Sequence, residues 1–266
     1  MKILCPTDFS AHSKVALEYA MNLANTIDAE VHVLSVFQVN KSASSMISLD
    51  DVIRQNHEED MLKLVSGLGQ LVKKDRLPMS KIMKGNTVSC ITRYVKHYDI
   101  DLVIMGTQGG NSMRTILFGS TTKKLASKID IPVLAIPETV QHKLTSNKIV
   151  LALDDKPIEK EDLFKVPLEI AASLALNIDI LHIQKEEEVI PFDPSIAFLL
   201  GNCLGDAYVE QGNDPVQTIK DFVENRNIGM LIMIRREKSF LQKLLTIGNT
   251  SAELAKTNIP LMVIPE

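Results

Sequence analysis

The chain contains the same pattern twice. Residues 2–8, a short apolar run that ends in Pro-Thr-Asp, recur in pattern at residues 148–154, and the Ile-Pro run at residues 131–138 recurs at residues 259–266. Between these anchors each half alternates nearly all-apolar runs with amphipathic stretches, which is typical of β-α-β units whose helices cover both faces of a parallel sheet. The sequence therefore predicts an α/β fold of two tandem five-stranded parallel sheets, each doubly wound and Rossmann-like.

The predicted elements follow the same order in both halves. Strands are expected near residues 2–6, 30–36, 79–84, 101–105 and 132–136, and again near 148–153, 178–183, 207–211, 229–234 and 260–264. Helices of the first half are expected near residues 10–27, 50–75, 87–98 and 119–129. The polar segment 139–147 separates a first domain at residues 1–140 from a second domain at residues 144–266.

Charge and cysteine use exclude several classes of protein. With 29 basic and 33 acidic residues, the net charge of −4 gives no electrostatic reason to expect nucleic acid or an acidic membrane surface as a partner. The three cysteines are far apart and form no C-x-x-C pair, which favours a reducing compartment over a disulfide framework or a zinc site. No signal peptide or membrane span is visible among the apolar runs. We expect a soluble, cytoplasmic protein.

A glycine-rich loop follows the fourth predicted strand of the first half. Its pattern is G-x-x-G-x9-G-S-T, formed by Gly106, Gly109, Gly119, Ser120 and Thr121. Glycines let backbone N–H groups approach an anion closely, and a helix that begins at Gly119 adds free N–H groups and two hydroxyls. The pattern predicts phosphate binding, although the same residues also serve as ordinary turns and helix caps. Ser120 stands where a P-loop has lysine, so this is not a P-loop NTPase.

The position of the loop favours a ligand. Doubly wound sheets bind ligands beyond the carboxyl ends of their strands, where the strand order reverses. Strand one ends in Pro6-Thr7-Asp8 and strand four ends in Met105-Gly106, and these two ends are expected to be neighbours.

These segments, with Phe9-Ser10 and the glycine loop, resemble the universal stress protein family over both halves of the chain. The resemblance implies that the first half binds ATP, because the spaced glycine loop separates the nucleotide-binding members from the others. It implies that Asp8 and the backbone of Pro6 and Thr7 contact the adenosine, and that main-chain groups of Val33 meet the adenine. The ribose and phosphates would be lined by Met105, Gly106, Gly109, Gly119, Ser120 and Thr121.

Asp8 and two histidines also have structural explanations. Asp8 recurs as Asp154 in the second half, so it is expected to serve the start of its helix as well as a ligand. His32 and His182 take matching positions in strand two of each half, which favours hydrogen-bonded structural histidines over metal ligands. No metal site and no catalytic residue are predicted.

The second half lacks the glycine loop. Aligning the two loops places Arg235 at the position of Gly106 and Lys238 at the position of Gly109. Long cationic side chains remove the backbone cradle, so no ATP is predicted there. The alternative left open is that a cluster binds an anion through its side chains, namely Arg235, Arg236, Lys238 and Lys243.

The predicted function is the binding of ATP, with or without Mg²⁺, in a stress-response or signalling role that the resemblance implies. Slow hydrolysis stays open, because neither a catalytic base nor a metal site can be assigned. The alternative is a scaffold or sensor with a vestigial nucleotide site, whose second half binds a partner or another small ligand. The fifth strand mediates dimer contacts in the resembled family. We therefore expect the two halves to pair internally into a pseudo-dimer, and further homo-oligomerisation stays open.

Overall fold

A computed structural model describes residues 1–38, 49–72, 76–109, 116–117, 120–140, 148–154, 157–158, 160–184, 195–236 and 259–266. The elements of the first half are β1 (Lys2–Thr7), α1 (Ala11–Ile27), β2 (Glu30–Phe37), α2 (Leu49–Gly67), β3 (Met79–Lys84), α3 (Thr87–Tyr98), β4 (Leu102–Gly106), β5 (Gln108–Gly109), β6 (Ile116–Leu117), α4 (Ser120–Ala126) and β7 (Val133–Ile136). Those of the second half are β8 (Ile149–Leu153), α5 (Lys165–Ser173), β9 (Ile178–Gln184), α6 (Ser195–Leu200), β10 (Leu204–Gln211), α7 (Pro215–Arg226), β11 (Met230–Arg235) and β12 (Leu261–Pro265).

The main strands form one ten-stranded sheet in the order β10-β9-β8-β11-β12-β7-β4-β1-β2-β3. Within each half the neighbouring strands are parallel. The order β7-β4-β1-β2-β3 of the first half matches the order β12-β11-β8-β9-β10 of the second half. The halves meet where β12 pairs antiparallel with β7, with Val263 opposite Val133. An edge of the sheet here means the side along which the strands begin or end. The carboxyl ends of the first-half strands lie at one such edge, and those of the second-half strands lie at the opposite edge. The predicted α/β class with parallel, doubly wound sheets is confirmed.

Helices cover both faces of the sheet, which explains why its central strands are almost wholly apolar. On one face, α1, α2, α5 and α6 pack against strand residues such as Ile3 and Val33. On the other face, α3, α4 and α7 pack against Leu4 and Leu34, because successive residues of a strand point to opposite faces. Each of the two cores contains residues of both halves, so the joint between the halves is packed as well as hydrogen-bonded.

Two helices are shorter than their sequence pattern predicts. The apolar spacing predicts α2 as far as residue 75, but the helix ends at Gly67. The next glycine, Gly69, has a φ of +48°, in the left-handed region that interrupts a helix. The prediction for α4 extends to residue 129, whereas the helix ends at Ala126.

Among the described helices, none is long and apolar enough to span a bilayer. Residues 141–147, at the predicted domain boundary, lie outside the described residues.

Candidate functional site

A cavity of about 230 Å³ opens at the carboxyl ends of β1 and β4, beside the first turns of α1 and α4. Doubly wound sheets bind their ligands at this position. Seven of the ten residues predicted from the sequence line the cavity together, namely Pro6, Thr7, Asp8, Met105, Gly106, Ser120 and Thr121. The remaining described lining residues are Ser10, His12, Ser13, Leu34, Val36, Thr87 and Thr122.

The other three predicted residues do not line the described cavity. Val33 is fully buried in β2 and packs toward α1, whereas its neighbour Leu34 lines the cavity. Gly109 lies in β5, where it pairs with Ile116 of β6. Gly119 lies outside the described residues. The described walls are therefore built from strand ends and helix starts.

Asp8 forms the turn that joins β1 to α1. Its carboxylate accepts hydrogen bonds from the backbone N–H of Ser10 at 3.1 Å and from the Ser10 hydroxyl at 2.6 Å. Ser10 in turn is the N-cap of α1, because its side-chain oxygen accepts the N–H of Ser13 at 3.3 Å. Asp8 thus supports the start of α1 through Ser10, and it also lines the cavity.

Two opposing effects act on the pKa of Asp8. Partial burial alone would raise this pKa, because it disfavours the charged carboxylate. The hydrogen bonds from Ser10 and Ser13 outweigh burial, and the pKa of Asp8 lies below its usual value. The side chain is therefore an ionised carboxylate at neutral pH, which accepts hydrogen bonds and donates none.

Gly106 lies where α1 crosses the end of β4. A Cβ atom at this position would stand 2.4 Å from the carbonyl oxygen of His12, in the first turn of α1. Glycine is therefore required here by the close approach of two backbones, independently of any ligand. The Gly106 carbonyl also accepts a hydrogen bond from the Thr122 hydroxyl of α4, at 3.2 Å. Gly106 thereby connects the three elements β4, α1 and α4 at the wall of the cavity.

His12, Leu34 and Val36 line the cavity although the sequence pattern does not single them out. The Nδ1 atom of His12 lies 3.1 Å from a carboxylate oxygen of Glu138, which follows β7. No short-range spacing marks this pair, because its members are far apart in the chain. Strand alternation is a usable signal for the other two, since both residues face away from the α1 side on which Val33 packs.

The model of the universal stress protein family matches residues 1–137, just over half of the 266 residues. The chain belongs to the universal stress protein family. Family membership agrees with the resemblance carried by the Pro-Thr-Asp turn and the glycine loop.

Relatives in this family match about half of the chain. Universal stress protein MJ0531 of Methanocaldococcus jannaschii is 26% identical over 140 residues, which cover 51% of this chain and 81% of that protein. Universal stress protein MJ0577 of the same organism is 26% identical over 152 residues, covering 51% of this chain and 93% of its own. The likeness of fold extends further. A crystal structure of a universal stress protein from Archaeoglobus fulgidus covers 98% of this chain and 97% of its own, with a TM-score of 0.73 and 15% identity.

In the second half of this universal stress protein, a buried guanidinium group lies beside the residues that follow β8 and β12. Arg236, which follows β11, has a side chain that is only 4% exposed. It forms ion pairs with Asp154 and Glu266, the counterparts of Asp8 and Glu138, and donates to the Pro157 carbonyl at 3.0 Å. Two carboxylates thus pair with the single positive charge of Arg236 inside the protein.

Arg235 reaches into the first half instead. The loop alignment places it at the position of Gly106, but this prediction is wrong by one residue, because Ile234 pairs with Ile264 as Gly106 pairs with Ile136. Its Nη1 atom donates to the carbonyl oxygens of Ala126 and Ile129, at 2.8 Å each. Burial lowers the pKa of this guanidinium, and the carboxylate of Asp130 acts in the opposite direction. Of the four cations predicted as a cluster, the two described arginines therefore have partners within the protein, and Lys238 and Lys243 lie outside the described residues.

Proposed function

We propose that the first half of this protein binds ATP in the cavity at the ends of β1 and β4, and that the second half binds none. The observation that carries the proposal is the convergence of three predicted segments, residues 6–8, 105–106 and 120–121, on one cavity. Family membership supports a cytoplasmic role in stress response or signalling, in which nucleotide occupancy is the signal.

The chemistry of the walls suits an adenine nucleotide. Leu34, Val36 and Met105 offer apolar contact for an adenine ring. The ionised carboxylate of Asp8 accepts hydrogen bonds, which suits ribose hydroxyls and would repel a phosphate. The hydroxyls of Ser120 and Thr121 can donate to phosphate oxygens. These roles orient the nucleotide with its adenosine toward β1 and its phosphates toward α4.

Charge balance argues for Mg²⁺ as a companion of the phosphates. None of the described lining residues is a lysine or an arginine. Within the described chain there is also no group of three or more His, Cys, Asp or Glu side chains that could hold a metal alone. Mg²⁺ commonly binds through phosphates and only one or two carboxylates. We therefore propose that the ion arrives with ATP.

Isothermal titration of ATP, with and without Mg²⁺, tests the proposal. One site per chain is expected. Replacing Ser120 and Thr121 together by alanine should weaken binding roughly tenfold or more, because each hydrogen bond to a charged group contributes about 1.5–3 kcal/mol. Ser127→Ala is the matched control, since this hydroxyl lies past the far end of α4 and donates to the Lys123 carbonyl at 2.7 Å. Absence of binding, or two equal sites per chain, would overturn the proposal.

One observation favours a second candidate, a scaffold that docks a partner on the second half. Phe198 in α6 is 86% exposed, and Val209 in the edge strand β10 is 54% exposed. In the described part of the chain no strand pairs with the outer side of β10. Exposed apolar side chains and an open strand edge are features of protein-binding surfaces. A scaffold should support growth under stress equally well with the Ser120→Ala, Thr121→Ala variant. A nucleotide-dependent protein should not.

A further inference from the structure

The carboxyl end of α4 depends on a side chain from the other half. The helix runs only from Ser120 to Ala126, and a helix of two turns has little stability of its own. The Leu125 carbonyl accepts N–H groups of the turn that follows the helix. The carbonyls of Ala126 and Ile129 receive their hydrogen bonds from Arg235 instead. The end of α4 is thus closed at Leu125 by the following turn, and a guanidinium of the other half bonds to the carbonyls of Ala126 and Ile129.

The antiparallel joint brings Arg235 to this helix. α4 begins at the carboxyl edge of the first-half strands, where Ser120 lines the cavity, and leads back to the start of β7 at the opposite edge. The carboxyl end of β11, which carries Arg235, lies at that opposite edge because the second half runs in the reverse direction. A cation there also meets the negative end of the helix dipole.

We propose that Arg235 is a positioning residue for the nucleotide site: by holding the carboxyl end of α4, it keeps Ser120 and Thr121 at the cavity wall. This role rests on the ATP binding proposed above. In the strand register the first-half counterpart of Arg235 is Thr107, whose short side chain donates to the Ile136 carbonyl at 3.4 Å and thus stays within the first half. The second half is thereby required for a site in the first half, although we propose that it binds no ATP itself.

Hydrogen exchange on the nucleotide-free, full-length chain tests the contact itself. In Arg235→Met, the amides of Ser127 and Ile129, which bond to α4 carbonyls, should exchange roughly tenfold faster, since hydrogen bonds to a charged group are lost. Arg226→Met is the matched control, because Arg226 contacts Glu210 and the Tyr208 ring within the second half. Unchanged exchange of α4 in Arg235→Met would overturn the proposal.

ATP affinity tests the positioning role. The dissociation constant should rise roughly tenfold in Arg235→Met, rise less in Arg235→Lys, which keeps the charge without the fork, and stay unchanged in Arg226→Met. Faster exchange of α4 with unchanged affinity would mean that Arg235 is merely structural and would overturn the role. If Arg235→Met does not fold, the exchange of α4 and the ATP affinity are compared between Arg235→Lys and Arg226→Met instead. If the unaltered chain binds no ATP, the proposed function fails and the positioning role with it, whereas the exchange result still shows whether Arg235 holds α4.

Discussion

At Gly106 the backbones of β4 and α1 approach more closely than any side chain allows. Gly106→Ala places a methyl group against the His12 carbonyl. The shift of α1 that follows should cost about 1–3 kcal/mol of stability and should weaken ATP binding. Urea unfolding measures the first effect. Gly67→Ala is the control, because a Cβ atom there meets nothing within 4 Å. Equal unfolding midpoints for the two variants would contradict this account.

His32 is a buried histidine whose environment makes stability depend on pH. Its Nδ1 atom lies 2.9 Å from the Tyr94 hydroxyl. Burial lowers the pKa of His32 below its ordinary value of 6.5, and the Glu30 carboxylate only partly opposes this. The folded protein therefore keeps His32 neutral at a pH where the unfolded chain binds a proton. The contribution of His32 is present above pH 6.5 and is lost as the pH falls below it.

Unfolding midpoints between pH 7.5 and 5 measure this dependence. The unaltered chain should lose stability over this range, and His32→Gln should reduce the slope. His97→Gln, at an exposed position of α3, should leave the slope as it is. An identical slope for His32→Gln and the unaltered chain would show that other groups set the pH dependence.

The start of α1 links the stability of this helix to the charge of the cavity. Ser10→Ala removes the N-cap, which should cost about 0.5–2 kcal/mol. It also removes a hydrogen bond to Asp8, so the pKa of Asp8 should rise toward its usual value. Thermal unfolding and NMR titration of the Asp8 carboxyl group measure the two effects. Thr26→Ala is the control, since this exposed hydroxyl bonds to the Asn22 carbonyl late in the same helix.

The elements differ in how far the sequence predicts them. The central strands are predictable because a strand covered on both faces must be apolar throughout, and that pattern is local. The outer strands β3 and β10 are partly exposed and carry polar residues, so their pattern is weaker. The end of α2 is not predictable in the same way. The apolar spacing continues past Gly69, and the pattern does not reveal the positive φ of this glycine, which interrupts the helix. The Pro-Thr-Asp turn and the loop residues are sufficient to predict where the cavity lies. Strand alternation would also have predicted that Leu34 lines the cavity and that Val33 packs on the opposite face. The reach of Arg235 to Ala126 spans 109 positions and leaves no local signal.

The two halves of the molecule are joined by the antiparallel pairing of β12 with β7, and the register of this pair can be tested. Cysteines at Val133 and Val263, which are directly opposite, should form an intramolecular disulfide on mild oxidation, in a chain that also carries Cys203→Ser. Cysteines at Val133 and Leu261 are two positions out of register and should not. Mobility on a non-reducing gel and mass spectrometry read the result. Cross-linking of the second pair alone would place the strands in another register.

The reversed direction of the two halves has an electrostatic consequence. The open cavity and the place occupied by Arg236 lie at opposite edges of one sheet. A triphosphate adds several negative charges to a chain whose own net charge is −4, and it adds them at one edge only. A partner that docks on that edge would therefore meet two electrostatic states, and a partner that docks on the other edge would meet one. A symmetric pair of identical subunits offers no such distinction, because its two edges are interchangeable.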